Sequence, residues 1–305
     1  MRSPAPAYGD AMQPARALAA ALEPFVGQVY FSPECHANYE ALGFAPSRGQ
    51  ANGVALPDGP AYFTSRGSLM GQVPGELVAA AFAVFNPEAV VPAVTFGWQR
   101  TDAATICAAR DRGAIAQLER ILGTEPTGVT RVRELLQMAV APLRPEGRPL
   151  FAGVLSQSMP DTDLGAAWRL GDMLREYRGD SHTAAWISAG FDATEIGLVS
   201  ELYWGLPMRS YSRTRAWTDA QFDAAHERLQ ARGLVDHVAL TPAGHSAREA
   251  VEVHTDQQMD VALTALGDHL HELVELLTPW GAAIRAAQGY PNNGPHELAQ
   301  AAKRP

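Results

Sequence analysis

The chain has 305 residues, of which 47% are hydrophobic, and a formal net charge of −9 at pH 7. This composition predicts a globular protein of one large or two ordinary domains with a substantial core. The acidic balance disfavours non-specific binding to nucleic acid or to a membrane surface. Lys303 is the only lysine, which excludes an internal Schiff-base lysine for pyridoxal phosphate and the lysine of a P-loop.

Cys35 and Cys107 are the only cysteines, so the sequence offers no disulfide framework and no Cys-x-x-Cys site. The first residues lack the charged segment and apolar run of a signal peptide. No stretch approaches the roughly 20 apolar residues of a membrane span. We therefore expect a soluble, cytoplasmic protein with no membrane partner.

Helical patterns dominate the chain between two tails, 1–13 and 289–305, that we expect to be flexible. Apolar spacing and capping residues predict helices over residues 14–29, 33–42, 73–84, 101–122, 129–140, 163–177, 181–189, 192–204 and 219–232, and a pair over 260–288. Ser32 followed by Pro33 is typical of an N-cap and a first helical residue. Turn residues are frequent before residue 61, and 61–65 are predicted to form a short strand.

Residues 211–260 have the element order of a winged helix-turn-helix. The predicted recognition helix is followed by a very short hairpin at 238–244 and by a long helix from 245 to about 259. Residues 211–278 contain five arginines, no lysine and eleven carboxylates, a net charge of −6. Because proteins bind DNA by releasing phosphate counterions with Lys and Arg, we predict a winged-helix scaffold whose DNA binding is weakened or lost.

The chain contains a weak internal repeat. Ser65 and Arg66, followed by a helix that starts near residue 73, resemble Ser212 and Arg213, followed by a helix that starts at Thr218. A real repeat predicts a mainly α fold of tandem winged-helix-like units with small β-wings and long packing helices. The alternative is a pair of unrelated capped helices.

The repeat divides the chain into two predicted halves. Residues 14–145 are the N-terminal helical half, a degenerate winged-helix-like unit. Residues 146–288 are the C-terminal half, which contains the winged helix at about 181–260 and the terminal helices.

The densest polar motif contains five candidate functional residues, Arg175, Glu176, Arg178, Asp180 and His182. Arg175 and Arg178 are three residues apart and share a helix face. We expect Gly179 to end this helix and Asp180 or Ser181 to cap the next one. The motif is either an ordinary helix junction or a set of guanidinium groups for an anionic or carbonyl ligand, beside a His/Asp acid–base pair.

A second candidate site lies on the short helix, where His36, Tyr39 and Glu40 share one face. His36 is either a satisfied histidine or a ligand-binding or catalytic residue. A role as a haem ligand stays open, although no second ligand lies at a diagnostic spacing.

Three further residues are candidates for lining a ligand pocket. Arg66, with Met70 shortly after it, either faces the pocket or forms a surface ion pair. Trp186 belongs either to the core or to an apolar pocket between the halves.

Five stretches of the sequence carry a family signature. They are Phe31-Ser-Pro-Glu-Cys-His-Ala-Asn-Tyr-Glu-Ala-Leu-Gly43, Tyr62-Phe-Thr-Ser-Arg66, Gly147-Arg-Pro-Leu-Phe151, Leu174-Arg-Glu-Tyr-Arg-Gly-Asp-Ser-His182, and the run from Arg215-Ala-Trp-Thr218 to Thr255-Asp256. Through them the chain resembles a largely uncharacterised actinobacterial family related to MarR-type winged-helix proteins.

This resemblance implies a fold of helices with small wings, a MarR-like pseudo-dimer as one arrangement, and a ligand held between the winged unit and the dimerisation helices. It implies no secure activity. Tyr177 stands where the family's pattern has a histidine, so any chemistry at that position would differ in this member.

The first functional hypothesis is a small-molecule-binding protein on a winged-helix scaffold with weakened or lost DNA binding. Its pocket would be lined by His36 and Tyr39, by Arg66, and by the motif at 175–182. In the second, an enzyme on the same scaffold performs acid–base chemistry on a secondary-metabolite-like substrate. Its catalytic residues would be His36, Tyr39, Asp180 and His182.

The third hypothesis is a MarR-type transcriptional regulator, with Arg209, Arg213 and Arg215 touching phosphates just before the recognition helix. No motif typical of nucleotide, pyridoxal phosphate or zinc sites occurs. The cofactor is therefore unknown, with haem left open, and the expected partner is a small molecule and not nucleic acid. The chain would form a monomeric pseudo-dimer or a homodimer.

Overall fold

A computed structural model describes residues 13–51 and 53–292, most of which are helical. The helices are α1 Pro14–Gly27, α2 Pro33–Ala41, α3 Gly59–Gly67, α4 Gly75–Phe82, α5 Pro87–Trp98, α6 Ala103–Leu122, α7 Val129–Val140, α8 Pro149–Leu155, α9 Asp163–Ser188, α10 Ala193–Tyr203, α11 Asp219–Ala231, α12 Pro242–Gln257, α13 Asp260–Leu266 and α14 Leu270–Ala286. Strands β1 Gln50–Ala51 and β2 Val54–Ala55 pair antiparallel. Within the described residues, no helix is long and apolar enough to cross a membrane.

Side-chain caps begin many of the helices. An oxygen of the residue before the helix accepts a hydrogen bond from a backbone N–H of the first turn, which has no partner inside the helix. The residues that do this are Ser32, Asp58, Asn86, Asp102, Thr162, Asp192, Thr218 and Thr241. The predicted cap at Ser32 is confirmed, since its hydroxyl oxygen accepts from the Cys35 N–H at 3.1 Å.

The largest hydrophobic cluster surrounds α9 and contains the fully buried Trp168. It includes Phe25 of α1 and Ile106 of α6, which lie before residue 145, and Leu273 of α14, which lies after it. The two predicted halves therefore share one core, and their division near residue 145 stays a prediction.

Two smaller clusters lie beside this core. One joins α10, α11 and α12 with the end of α9 and includes Trp186, Phe222 and Val251. The other joins α3, α4 and α5 around an aromatic group that includes Phe63 and Phe82. We call the first of these the helix-turn-helix unit, residues 185–257.

The strand predicted at residues 61–65 is wrong, because this segment lies inside α3. Asp58 caps the helix by accepting from the Ala61 N–H at 3.1 Å, and Pro60 stands in the first turn, where its missing N–H has no cost. This local start signal outweighs the strand preference of the aromatic and β-branched residues that follow.

The predicted helix break at Gly179 is also wrong, because α9 continues to Ser188. Neither proposed cap starts a helix here. The Ser181 hydroxyl donates to the Tyr177 carbonyl at 2.8 Å, a bond within the helix. The Asp180 carboxylate turns instead to α8, where it accepts from the Phe151 N–H at 2.9 Å.

The predicted C-terminal tail begins too early. Residues 289–292 are described, and Tyr290 is buried in the core. Its hydroxyl donates to Glu23 Oε1 at 2.9 Å, and its ring packs edge-on against Phe31. The remainder of both predicted tails, 1–12 and 293–305, lies outside the described residues.

The predicted hairpin of the winged unit is reduced to a single bridge between Val235 and Leu240. The long helix after it starts at Pro242, earlier than predicted. In the described part of the N-terminal half, the strand pair β1–β2 comes before α3 and none follows α4, unlike the order around α11. The tandem arrangement of two winged-helix units therefore stays a prediction.

We expect Gly179→Ala to raise the free energy of unfolding by about 0.5–1 kcal/mol, because alanine favours a helix interior. The added Cβ would meet nothing closer than Glu176 Oε2 at 3.7 Å. Urea denaturation would measure the change. The control is Gly113→Ala in α6, whose Cβ would lie 2.6 Å from the backbone of Cys35 and should cost about 1–3 kcal/mol. If Gly179→Ala lowers the free energy of unfolding as much as the control does, α9 is not continuous through residue 179.

Candidate ligand cluster and helix-turn-helix surface

Helix α9 carries charged side chains on one face that is turned into the protein. They are spaced three or four residues apart, which places them on the same side of a helix. They are Arg169, Asp172, Glu176 and Asp180, each almost or completely without solvent contact. Since burying an unpaired charge is costly, each of them requires a partner from a neighbouring element.

Helix α6 provides the partners at one end of this face. Arg110 Nη2 donates to Asp172 Oδ2 at 2.7 Å, and both side chains are buried. Arg169 forms an ion pair with Asp111. The Arg110 guanidinium also lies 5.0 Å from the centre of the Trp168 ring. The two ion pairs therefore fix α6 against α9.

Glu176 is the most completely bound carboxylate of the face. Arg66 of α3 donates to it twice, at 3.1 and 2.7 Å, and Arg175 donates at 3.2 Å. Burial acts to raise the pKa of Glu176, but the charges of Arg66 and Arg175 outweigh it and lower the pKa to about 2. Glu176 is therefore an anion at neutral pH whose contacts join α3 to α9.

Above this carboxylate lies a contiguous group of half-buried side chains at the junction of α9, α3 and the helix-turn-helix unit. We call it the seam cluster; it consists of Tyr30, Tyr62, Arg66, Arg175 and Tyr211, of which Tyr211 lies near enough to Tyr62 and Arg175 for both to influence its pKa. The rings of Tyr30 and Tyr62 lie 5.3 Å apart. The guanidinium of Arg175 lies 5.1 Å from the centre of the Tyr30 ring, and its Nη1 donates to the Tyr30 hydroxyl at 3.1 Å.

The two arginines of the seam cluster differ in how firmly they are held. Arg66, with 14% of its side chain exposed, is held by the buried Glu176. Arg175, with 23% exposed, also pairs with Glu23, which is itself partly exposed, at 3.1 Å. Because the ion pair with Glu23 is open to solvent, it is the weaker one. Of these two guanidinium groups, that of Arg175 is therefore the one that another anion could more readily reach.

Arg178 and His182 face α12 and not the seam cluster. Arg178 pairs with Glu252 at 3.1 Å. His182 Nδ1 lies 3.0 Å from the hydroxyl of Thr255, which donates its own proton to the Val251 carbonyl, so the His182 N–H is the donor. Burial lowers the pKa of His182 to about 4, which keeps this imidazole neutral.

Asp180 and His182 do not form the predicted acid–base pair with each other. Two residues apart on one helix, they point to different neighbours, Asp180 to α8 and His182 to α12. Burial raises the pKa of Asp180 to about 6. Their observed contacts join helices.

His36 and Tyr39 are both buried on α2, whereas Glu40 is exposed. His36 Nε2 donates to the backbone carbonyl of Tyr30 at 3.1 Å, so this contact of His36 with the seam cluster does not involve the Tyr30 side chain. Burial lowers the pKa of His36 and raises that of Tyr39, which lies beside Cys35 and Ser65. A catalytic role for His36, Tyr39, Asp180 and His182, and haem ligation by His36, stay predictions.

Met70 and Trp186 also lie away from the seam cluster. Met70 lines a shallow apolar groove of about 340 Å³, together with Val73, Leu77, Ala80, Ala81 and Pro149. A second depression of about 400 Å³ lies between α6 and residues 158–160. Trp186 belongs to the core of the helix-turn-helix unit. In the described residues, no three His, Cys, Asp or Glu side chains come together as a set of metal ligands.

The outward face of α11 is acidic. Phe222, Ala225 and Leu229 hold this helix against its neighbours. Asp219, Asp223 and Glu227 follow one another at intervals of four residues and are all exposed, the two aspartates by 64 and 63% of the side chain. Spacing of four aligns them along one side of the helix. We call this the acidic row.

Several arginines near α11 already have carboxylate partners. The pairs are Arg209 with Asp223, Arg213 with Asp219, Arg228 with Asp192 and Glu195, and Arg232 with Glu195. Each of these guanidinium groups would have to exchange a carboxylate for a phosphate in order to bind DNA.

The candidates Arg66, Arg175 and Glu176 are brought together by the structure. The residues not predicted from the sequence are Tyr30, Tyr62, Tyr211, Asp172 and the α6 partner Arg110. Asp172 could have been found as a charged residue at helical spacing on an otherwise apolar face. Tyr30 and Tyr62 have no such signal, because they meet α9 only through tertiary packing.

We expect Glu176→Gln to lower the free energy of unfolding by about 3–5 kcal/mol, because it removes the anion that compensates two half-buried arginines. Because the folded pKa of Glu176 is below its ordinary value, its contribution is complete above about pH 4.5 and is lost as the pH falls toward 2. Denaturation at pH 7, 4.5 and 3 should show a smaller acid loss in the variant than in the parent chain.

The control for this prediction is Glu275→Gln, on an exposed residue of α14. Its effect should stay within about 0.5 kcal/mol. If Glu176→Gln costs as little as this control, the buried carboxylate does not have the structural role described above.

One comparison with known proteins gives a match, and this match covers nearly the whole chain. A family model described as a helix-turn-helix family matches residues 15–291. No curated protein and no solved structure matches the chain. The match covers nearly all of the helices described above, including α10 and α11. The chain therefore belongs to this helix-turn-helix family.

Proposed function

We propose that this protein is a small-molecule-binding protein on a helix-turn-helix scaffold, and that DNA contact through α11 is weak. The observation that carries the proposal is the acidic row at Asp219, Asp223 and Glu227. Carboxylates on the outward side of a recognition helix repel phosphates and release no counterions. The predicted hairpin adds no positive charge, since residues 238–244 contain no Arg or Lys and Asp236 lies just before them.

The ligand would occupy the seam cluster. Tyrosine rings offer flat apolar contact and hydroxyl groups, and the Arg175 guanidinium can form paired hydrogen bonds with a carboxylate or a carbonyl group. A ligand of this kind would replace Glu23 as the partner of Arg175. The chemistry favours a planar aromatic molecule that carries one anionic group.

A second candidate function is a DNA-binding regulator, which family membership favours. Helix-turn-helix proteins usually place their second helix in the major groove of DNA. The match over residues 15–291 therefore weighs against the expectation that nucleic acid is not a partner. A relation to MarR-type proteins and a pseudo-dimeric arrangement belong to this scaffold hypothesis and stay proposals.

Titration of the protein against a labelled random-sequence duplex at 50 mM salt, followed by fluorescence anisotropy, separates the two functions. We expect weak binding, and an increase of at least tenfold in affinity for the triple variant Asp219→Asn, Asp223→Asn and Glu227→Gln, because three carboxylates no longer oppose the phosphates. The matched control is Asp260→Asn, Asp268→Asn and Glu275→Gln, which makes the same change in net charge on exposed residues away from α11. Tight binding by the parent chain with a steep salt dependence would reject weak DNA contact and favour the regulator.

Calorimetric titration with 2-naphthoate, with the neutral 2-naphthamide as its analogue, tests the seam cluster. We expect the carboxylate to bind about tenfold more tightly than the amide, and Arg175→Gln to remove this preference, because charge-assisted hydrogen bonds are the stronger ones. Arg178→Gln is the control, since it removes an arginine one turn further along α9 that faces α12. Equal binding by the two variants would place the ligand elsewhere.

A further inference from the structure

The turn between α4 and α5, residues 83–86, lies directly on the segment that leads into α11. The Asn86 N–H donates to the Arg215 carbonyl at 2.9 Å, and Asn86 Nδ2 donates to the Ala216 carbonyl at 3.0 Å. In the other direction, Trp217 Nε1 donates to the Val84 carbonyl at 2.8 Å. Three hydrogen bonds therefore connect the α3–α5 unit to residues 215–217.

The same turn covers side chains at the start of α11. Asn86 Nδ2 lies 3.5 Å from Oε1 of Gln221, the third residue of the helix. The Arg215 guanidinium lies 4.5 Å from the centre of the Phe85 ring. In helix-turn-helix proteins, the N-terminal residues of the second helix reach the base edges. The chain's own turn therefore holds two side chains beside the end of α11 that would face DNA, while residues 218–220 are exposed.

Backbone strain occurs on both sides of this contact. Ala83 has a φ of 52° and Ala216 a φ of 62°, a region that L-residues other than Asn and Asp rarely adopt. Residues held in such conformations persist only where the surrounding structure imposes them. The hydrogen bonds of Asn86 to Ala216 and of Trp217 to Val84 lie at or next to these two residues, so we expect both turns to relax when these bonds are broken.

The segment before Arg213 is held independently of the turn. The buried carboxylate of Glu201 accepts hydrogen bonds from the N–H groups of Arg209 at 2.7 Å and of Tyr211 and Ser212 at 2.5 Å each. Opening at the Asn86 contact would therefore release residues 215–217 and the side chain of Gln221 from the turn without unfolding the loop that precedes them.

We propose that the α4–α5 turn is an intramolecular latch that holds Arg215 and Gln221 at the N-terminal end of α11, and that these two side chains can meet DNA only when the latch opens. The seam cluster touches the latch, because the ring of Tyr62 lies 5.8 Å from that of Phe85. A ligand bound at the seam cluster can thus influence the latch, and through it α11, by way of the contact between the Tyr62 and Phe85 rings. This inference rests on the proposed function in taking α11 as the recognition helix and the seam cluster as the ligand site.

The test is the double variant Asn86→Ser and Trp217→Phe in the full chain. Serine keeps a side-chain oxygen that can cap α5, as Asn86 Oδ1 does for the Glu88 N–H at 3.0 Å, and loses the amide donor. Phenylalanine keeps an aromatic ring and loses the indole donor. Trp98→Phe is the matched control, because it removes an indole hydrogen bond of the same length, to the Val73 carbonyl, inside the α3–α5 unit.

Hydrogen exchange should become about tenfold faster for amides 213–221 in the double variant, with the amides of α7 unchanged. The affinity for the random duplex should rise about fivefold. Both changes have the size expected for the loss of two modest hydrogen bonds. The control should change neither quantity. Unchanged exchange in a folded double variant would overturn the latch, and so would faster exchange without a gain in affinity. Tight DNA binding by the parent chain would instead reject the proposed function.

Asn86→Asp alone provides a second variant should the double variant not fold. It keeps a strong N-cap for α5 and places a carboxylate against the Ala216 carbonyl, which should open the latch by repulsion. The same faster exchange over 213–221 is expected, and its absence would equally overturn the latch.

Discussion

The structure depends on how the charges of α9 are compensated inside the protein. This helix runs through the largest core and places Arg169, Asp172, Glu176 and Asp180 on its buried face. A buried charge without a partner would destabilise the fold by several kcal/mol (about 3–5 when one partner is removed). The neighbouring helices are therefore held where they can supply a guanidinium, a carboxylate or a backbone N–H to α9.

This constraint explains why the dense polar motif at 175–182 contacts several different helices. A helix turns by about 100° and rises by about 1.5 Å per residue, so its charged residues reach different neighbours either by direction or by position along the axis. Glu176 meets Arg66 of α3, Asp180 meets the start of α8, and His182 meets Thr255 of α12. The motif resembles a single site in sequence, but in the fold it connects the central helix to several neighbours.

The helix-turn-helix unit packs on α9 through α12, where Arg178 meets Glu252 and His182 meets Thr255. Its helix α11 carries the acidic row on one side, and the turn 83–86 contacts Ala216 and Gln221 near its N-terminal end. Both features belong to the same helix: the acidic row sets its surface charge, and the turn holds side chains at its start. The seam cluster connects the turn to Glu176 of α9, because Tyr62 packs against Phe85 and Arg66 donates to both Tyr62 and Glu176.

The sequence by itself determined the helical class, most helix positions, the acidic character of residues 211–278 and the grouping of Arg66, Arg175 and Glu176. These follow from local signals, since caps, apolar spacing and net charge can be read within a few residues. Only the tertiary structure decided that α9 continues through Gly179, that Asp180 and His182 separate, and that Asn86 contacts the start of α11. Each of these depends on contacts between residues far apart in the chain, such as Asn86 with Ala216, which no local pattern encodes.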